Sequence, residues 1–245
     1  MDRIRHSPAY RPYFRCGLLF QYEDSARDAF GEGRKTRGGR RIRYRVNGMV
    51  KKKIFILLGH PDKSGMCGAL TDAYESAARE AGHDVTRMNI GEMQFDPVLH
   101  KGYRERQECE PDLLRFQELV TTSDHFVVVY PVWWVGMPAI LKGLFDRAWL
   151  PGSAFRYIRT KTGSRTVFWH RLFRGKTARI IMTSGTHPLM VRFLPGNVNA
   201  QLRWGILWFA GFSVRTDWFG PAEDVPEKKK AKWLKRVSEL GRKGR

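Results

Sequence analysis

His125-Phe126-Val127-Val128-Val129-Tyr130 runs straight into Pro131-Val132-Trp133-Trp134-Val135-Gly136-Met137-Pro138. From Phe126 to Tyr130 no residue is charged and none offers a polar face, so the run reads as a strand buried on both sides. Such a strand needs hydrogen-bonded neighbours along both edges and a layer of helices over each face. A helical pattern follows over residues 138–149, with Pro138 at its start, where a missing N–H costs nothing. Upstream, Lys53-Ile54-Phe55-Ile56-Leu57-Leu58 is a second apolar run, closed by Gly59. Residues 67–81 carry a helical pattern that stops at Gly82, and Asp84-Val85-Thr86-Arg87-Met88-Asn89 reads as the next strand. A helix is expected over 112–123, behind Pro111. Downstream, 150–175 reads as a long connection containing Gly152, Gly163 and Gly175. A strand over 176–183, a helix over 197–210, a strand over 213–219 and a basic closing helix over 226–241 complete the chain. Strand and helix alternate five times. The fold class is therefore α/β, a doubly wound five-stranded parallel sheet.

The whole chain has 245 residues and a formal net charge of +20, with 42% hydrophobic residues. That is a globular composition with a sizeable core, and its charge favours anionic partners. Three scattered cysteines, Cys16, Cys67 and Cys109, do not make a disulfide framework or a thiolate metal site. A reducing, cytoplasmic setting is expected. No uncharged apolar run reaches about 18 residues, and the N-terminus lacks the apolar stretch of a secretory signal. Residues 1–48 differ from the rest, with 11 Arg and one Lys against five acids. They read as an unstructured Arg-rich extension ahead of a domain spanning 49–245, consistent with translation from upstream of a true start at Met49. A transit peptide and a nucleic-acid or membrane arm are the alternatives.

In doubly wound sheets ligands gather beyond the carboxyl ends of the strands. The loop after the first strand, Gly59-His60-Pro61-Asp62-Lys63-Ser64-Gly65-Met66-Cys67-Gly68, runs into a helix N-terminus, a ready anion site to which Ser64 and Lys63 would add a hydroxyl and a charge. It is neither GxGxxG nor a Walker loop. The loop after the third strand carries the adjacent Trp133 and Trp134, of which at least one should leave the core and offer a π face to a planar guest. The loop after the fourth strand, Thr183-Ser184-Gly185-Thr186-His187-Pro188, allows close backbone approach to a ring.

Residues 51–242 resemble the flavodoxin-like NAD(P)H:quinone oxidoreductase family, which includes bacterial NAD(P)H dehydrogenases and flavoprotein ancillary subunits of potassium efflux systems. The resemblance is carried by Gly59-His60-Pro61-Asp62, by Phe95-Asp96-Pro97-Val98-Leu99 and above all by residues 130–147, with Leu150-Pro151-Gly152 and Phe155 following. It implies a flavodoxin-like fold, a bound flavin (FAD or FMN), NADPH or NADH as electron donor, a quinone or similar electrophile as acceptor, and a homodimer. It implies that His60, Ser64, Met66 and Cys67 lie against the flavin's phosphate and ribityl chain. Pro131, Val132, Trp133, Trp134 and Val135 would cover the ring, and Thr183, Ser184, Gly185 and Thr186 would approach its pyrimidine edge. Phe155 and Tyr157 would line the substrate pocket, with Thr183, Thr186 and Tyr157 as catalytic residues. No metal is implied. The chain departs from the family pattern at Gly65-Met66-Cys67, where Ser-Phe-Asn or Ser-Phe-Cys is common, and it has no aligned Tyr and His pair in the loop after the fourth strand. Residues 156–175 are unusually basic, which suits a 2′-phosphate or an anionic membrane surface. The runner-up function is a flavoprotein regulatory subunit of a membrane transporter; a nucleic-acid binder comes last, because no recognised module is present.

Overall fold

Apolar runs at both 53–58 and 125–131 can be hidden only between two layers of helix. The computed structural model, which describes residues 45–46, 49–105, 107–160, 162–192 and 198–245, builds that arrangement. Most of the Arg-rich segment 1–48, with the extension expected there, lies outside the described residues. Its last part enters a small antiparallel hairpin, β1 (Arg45–Val46) with β2 (Met49–Val50). The main sheet comprises β3 (Lys53–Leu58), β4 (Asp84–Asn89), β5 (His125–Pro131), β8 (Thr177–Thr183) and β9 (Ser213–Phe219). All four pairings are parallel and the order is β4-β3-β5-β8-β9. Counted within the sheet this is 2-1-3-4-5, the doubly wound arrangement that the alternation of elements predicts.

The period of two along each strand sorts the core into two halves. Phe55, Leu57, Phe126, Val128, Tyr130, Ile180 and Met182 pack on one face under α2 (Pro111–Thr122) and α3 (Ala139–Ala148). Ile54, Ile56, Leu58, Val127, Val129 and Ile181 pack on the other under α1 (Met66–Glu80) and α5 (Glu227–Arg242). All seven residues of β5 are buried. The first half is centred on Phe116, whose ring meets those of Phe55, Phe126, Phe145 and Trp149 at 5.8–6.3 Å.

Three elements depart from the sequence reading. The connection over 150–175 contains an antiparallel hairpin, β6 (Phe155–Arg159) with β7 (Arg165–Arg171), outside the main sheet. Its arginines interrupt the apolar alternation that marks a strand. A short helix, α4 (Pro188–Arg192), follows β8. The helix expected over 197–210 holds a π-helical stretch, Gln201–Trp208, and position 197 lies outside the described residues. Among the described residues no helix is long and apolar enough to cross a membrane, and no group of His, Cys, Asp and Glu could hold a metal ion.

Two buried polar groups tie segments together. Arg147 on α3 is 1% exposed. It donates to the Asp96 carbonyl, to the Glu108 carbonyl at 2.6 Å and to Glu110 Oε2 at 2.8 Å, so it anchors the segment between β4 and α2. His125 on β5 shares a 2.7 Å hydrogen bond between Nδ1 and Thr177 Oγ1. Burial first, and then the nearby cations Lys52 and Arg179, push His125 down from the ordinary histidine value to about 3. The unfolded chain therefore takes up a proton between about pH 6.5 and 3 that the folded chain refuses, and stability is lost as pH falls through that window.

Replacing Arg147 by Met should cost roughly 3–5 kcal/mol in urea unfolding, because Glu110 and two carbonyls lose their partner; a loss under 1 kcal/mol would show that the segment is held by other means. His125→Gln should flatten the pH dependence of unfolding between about pH 6.5 and 3. An unchanged slope would move the acid sensitivity to other groups.

Candidate functional site

The loops after β3, β5 and β8 emerge side by side because those three strands are neighbours in the sheet. The first of them folds over the start of α1. A Cβ on Gly68 would lie 1.7 Å from the Lys63 carbonyl oxygen, so this close approach of loop to helix requires glycine. The helix has no side-chain cap and no acid in its first turn. Its first intrahelical bond runs from Ala69 N–H to the Gly65 carbonyl at 3.0 Å, so the N–H groups of Met66, Cys67 and Gly68 have no helical acceptor. That is a fitting cradle for a phosphate. The two polar side chains expected to assist it are engaged elsewhere. Ser64 donates its hydroxyl to both oxygens of Asp62, at 2.8 and 2.7 Å, and its N–H to Asp62 Oδ1 at 2.9 Å. Those bonds hold the Asp62 carboxyl below the usual carboxylate range, the Ser64 N–H contributing most. Lys63 pairs with Glu92 at 2.7 Å instead of facing the loop.

In the loop after β5, Val132 N–H donates to the Thr183 carbonyl at 2.7 Å, which fastens this loop to the end of β8. Pro131 is buried as the last residue of β5, in register with Thr183. Trp133 and Gly136 exchange two backbone hydrogen bonds of 2.9 Å. The two residues between them, Trp134 and Val135, have φ of 49° and 64°. Two left-handed residues closed by a reciprocal pair make a type I′ turn, which ordinarily calls for Asn-Gly. For the β-branched Val135 that conformation is strained. The turn separates the two tryptophans. Trp133 lies edge-on to His60, ring centres 5.5 Å apart, whereas Trp134 is fully exposed.

At the end of β8, Thr183 and Ser184 are buried. Thr183 Oγ1 lies 3.2 Å from Cys67 Sγ, linking this loop to α1. Burial pushes the Cys67 thiol up to about 11, the Thr183 hydrogen bond opposing it, so the sulfur is an uncharged thiol at neutral pH. The Ser184 hydroxyl donates to the Thr186 carbonyl at 2.6 Å and accepts from Trp218 Nε1 at 2.9 Å. Gly185 and Thr186 are exposed, and among the described residues their N–H groups have no hydrogen-bond acceptor. His187 accepts from Leu189 N–H at 3.2 Å, a local helix-start contact. Sequence reasoning missed two neighbours, Trp218 and Glu223, whose carboxylate lies 2.8 Å from where a Gly185 Cβ would stand. Both come from the end of β9 and the loop beyond it, a carboxyl-end loop that the reading of the first, third and fourth loops left out.

The structure thus brings His60, Met66, Cys67, Val132, Trp133, Thr183, Ser184, Gly185 and Thr186 to one end of the sheet. Phe155 and Tyr157 stand apart on the hairpin. Phe155 belongs to the core, edge-on to Phe209 at 4.9 Å. Tyr157 is half-buried, 5.2 Å from the Phe155 ring and 4.6 Å under the Arg165 guanidinium. Among the described residues no hydrogen bond or ring contact joins it to the three loops.

Residues 52–240 match the family of flavodoxin-like fold. The chain is 25% identical over 193 residues to NAD(P)H dehydrogenase (quinone) 1 of Rattus norvegicus, covering 68% of this chain and 67% of that one. Among solved structures, Smu.1420 from Streptococcus mutans superposes with a TM-score of 0.67 at 26% identity, over 78% of this chain and 98% of that one. The NAD(P)H:quinone oxidoreductase from Methanothermobacter marburgensis gives 0.63 at 21% identity, over 78% and 96%, a likeness of fold. With its strand order, its convergent carboxyl-end loops and this match over most of its length, the chain belongs to the flavodoxin-like fold family.

Proposed function

We propose that the protein is a flavin-dependent NAD(P)H:quinone oxidoreductase that passes two electrons and a proton from NAD(P)H to a quinone or similar electrophile, with a second proton from solvent. One observation carries the reading. Three loops meet where uncapped helix N–H groups, an aromatic face and unpaired backbone N–H groups lie together. The names of the rat and archaeal relatives support it. A flavin held there, FAD or FMN, would supply the two-electron carrier between donor and acceptor.

The chain's own residues divide that work. The N–H groups of Met66, Cys67 and Gly68 bind the anionic tail, with the α1 dipole behind them. Trp133, edge-on to His60, would offer an aromatic surface to the ring. The N–H groups of Gly185 and Thr186, with the Thr186 hydroxyl, would offer donors to the polar edge of a bound flavin, as an oxyanion hole does. Thr183 acts by position. Its hydroxyl is turned to Cys67, and the protonated thiol keeps a second negative charge out of the site. The β6–β7 hairpin stands apart from the three loops, and its exposed Arg156 and Arg165, with Tyr157 under Arg165, would offer charge and a ring to an approaching nicotinamide nucleotide. Donor and acceptor would share one pocket in turn, which makes the kinetics ping-pong. A second copy of the chain completes the pocket; the exposed Trp204 and Trp208, edge-on at 5.9 Å, support a homodimer.

Purified full-length protein should bind added FAD or FMN, and the visible flavin absorbance should bleach with NADPH or NADH without oxygen and return on adding a quinone. Protein that takes up neither flavin would overturn the reading. Replacing Trp134-Val135 with Asn-Gly should raise stability by roughly 1–2 kcal/mol, by relaxing the type I′ turn, and should weaken flavin retention. If unfolding in urea and flavin content are both unchanged, the strained turn has no part in holding the ring.

A further inference from the structure

About 20 Å from the site, at the amino-terminal ends of β5, β8 and β9, the sheet opens on a cavity of about 360 Å³. Its wall includes Lys52, His125, Thr177, Arg179, Arg215 and Arg245. The register explains how they come together. His125 pairs with Thr177 and Thr177 with Ser213, while Arg179 pairs with Arg215. Cross-strand partners and alternate residues share a face, so His125, Thr177, Arg179 and Arg215 all project to the side covered by α5. Beyond α5 the chain closes the cavity with Gly244 and Arg245, and Lys52 Nζ donates to the Gly244 carbonyl at 2.7 Å.

Two facts mark this cavity as more than a gap in packing. Four cationic side chains line it, and among the described residues no acidic one does. It is also lined by two of the three residues, among those described, that have a buried side-chain nitrogen without a partner; the third, Arg171, lies on the β6–β7 hairpin. Among the described residues His125, 1% exposed, has no hydrogen-bond partner for Nε2, and Arg179, 4% exposed, has none for Nε. Arg179 is paired on its other side, through Nη1, with Asp217, which also accepts from Arg236 at 3.3 Å. Arg215 is exposed and has no polar partner among the described residues. Buried polar atoms are rarely left unpaired, because their lost hydration is not returned.

We propose that this cavity is a second anion site, built to hold a small doubly charged oxyanion of the phosphate class between His125, Arg179 and Arg215. A guanidinium matches two oxygens of such an anion at once, and a dianion balances several cations where a single carboxylate would not. In the tautomer whose Nδ1 accepts from the Thr177 hydroxyl, the single proton of the neutral His125 ring sits on Nε2, the nitrogen left without a partner among the described residues. Lys52 and Arg245 complete the lining. The site is independent of the flavin reading, since it uses the opposite end of the strands and none of the same residues.

Calorimetric titration and thermal unfolding of the full chain, with inorganic phosphate against chloride at equal ionic strength, test this. Phosphate should bind saturably and raise Tm, and chloride should do neither. Arg215→Gln, an exposed change that leaves the core alone, should weaken phosphate binding about tenfold or more, with flavin uptake and Tm without phosphate unchanged. In a parallel arm with glycerol phosphate, equal binding would identify the guest as a phosphate monoester, and binding of inorganic phosphate alone would identify the free ion. Phosphate affinity untouched by Arg215→Gln would overturn the proposal, since any binding would then lie at the α1 loop. So would a Tm rise reproduced by chloride.

Discussion

Strand β5 offers water no side at all, and the rest of the molecule is arranged to meet that condition. Its backbone donors and acceptors need β3 on one edge and β8 on the other. Its even-numbered side chains need one helix layer and its odd-numbered ones a second. Parallel pairing follows from connections that pass over a face, and parallel pairing places the ends of β3, β5 and β8 at one level. The convergence of three loops is therefore a result of how the core is hidden. The bond from Val132 N–H to the Thr183 carbonyl and the contact of Cys67 with Thr183 are the points where core register passes directly into site geometry.

The same logic marks what could be read in the residues. Strands that carry a continuous apolar run, β3 and β5, declare themselves, and helices bounded by Pro111, Pro138 and Gly82 end within a residue or two of where the pattern changes. The β6–β7 hairpin was not legible, because it packs one edge of a ribbon on the core and gives the other to arginines. In it Arg165 and Arg171 lie over the rings of Tyr157 and Trp208, so charge there coexists with apolar contact. At the site, residue type singled out three loops that the sheet brings together but not the orientation of their side chains. Adjacent tryptophans had to diverge, yet only the turn between them decides that Trp133 meets His60 and Trp134 meets solvent. Ser64 was legible as a hydroxyl near an anion site, but its bonds to Asp62 depend on a loop conformation that no period encodes.

That turn is the one place in the described chain where two non-glycine residues in succession are left-handed. Such strain persists only where the surroundings over-determine it. Here the Trp133–Gly136 backbone pair, the anchor at Val132 and the start of α3 leave the two intervening residues no other path. A sequence free of functional demand would place Asn-Gly there. Trp-Val instead keeps a large aromatic at the rim, where it contributes nothing to the core.

Helix direction explains why charge separates along the sheet. In a doubly wound fold, helix N-termini stand at the carboxyl ends of the strands and helix C-termini at the amino ends, so backbone N–H groups attract anions at one end and carbonyls attract cations at the other. Lys176 donates to the carbonyls of Val120, Thr121 and Ser123 at the end of α2, Lys52 to that of Gly244 beyond α5, and His83 Nε2 lies 3.2 Å from that of Arg242. Burial holds His83 below the ordinary histidine value, so its ring adds no charge at neutral pH, and the two lysines are accounted for by the helix ends they cap. Arg179 and Arg215 are not, because they stand on strands and reach no helix terminus. Asp217 neutralises part of Arg179 and is shared with Arg236. A positive charge remains at this end that the fold does not require, beside a buried imidazole nitrogen that no described residue satisfies.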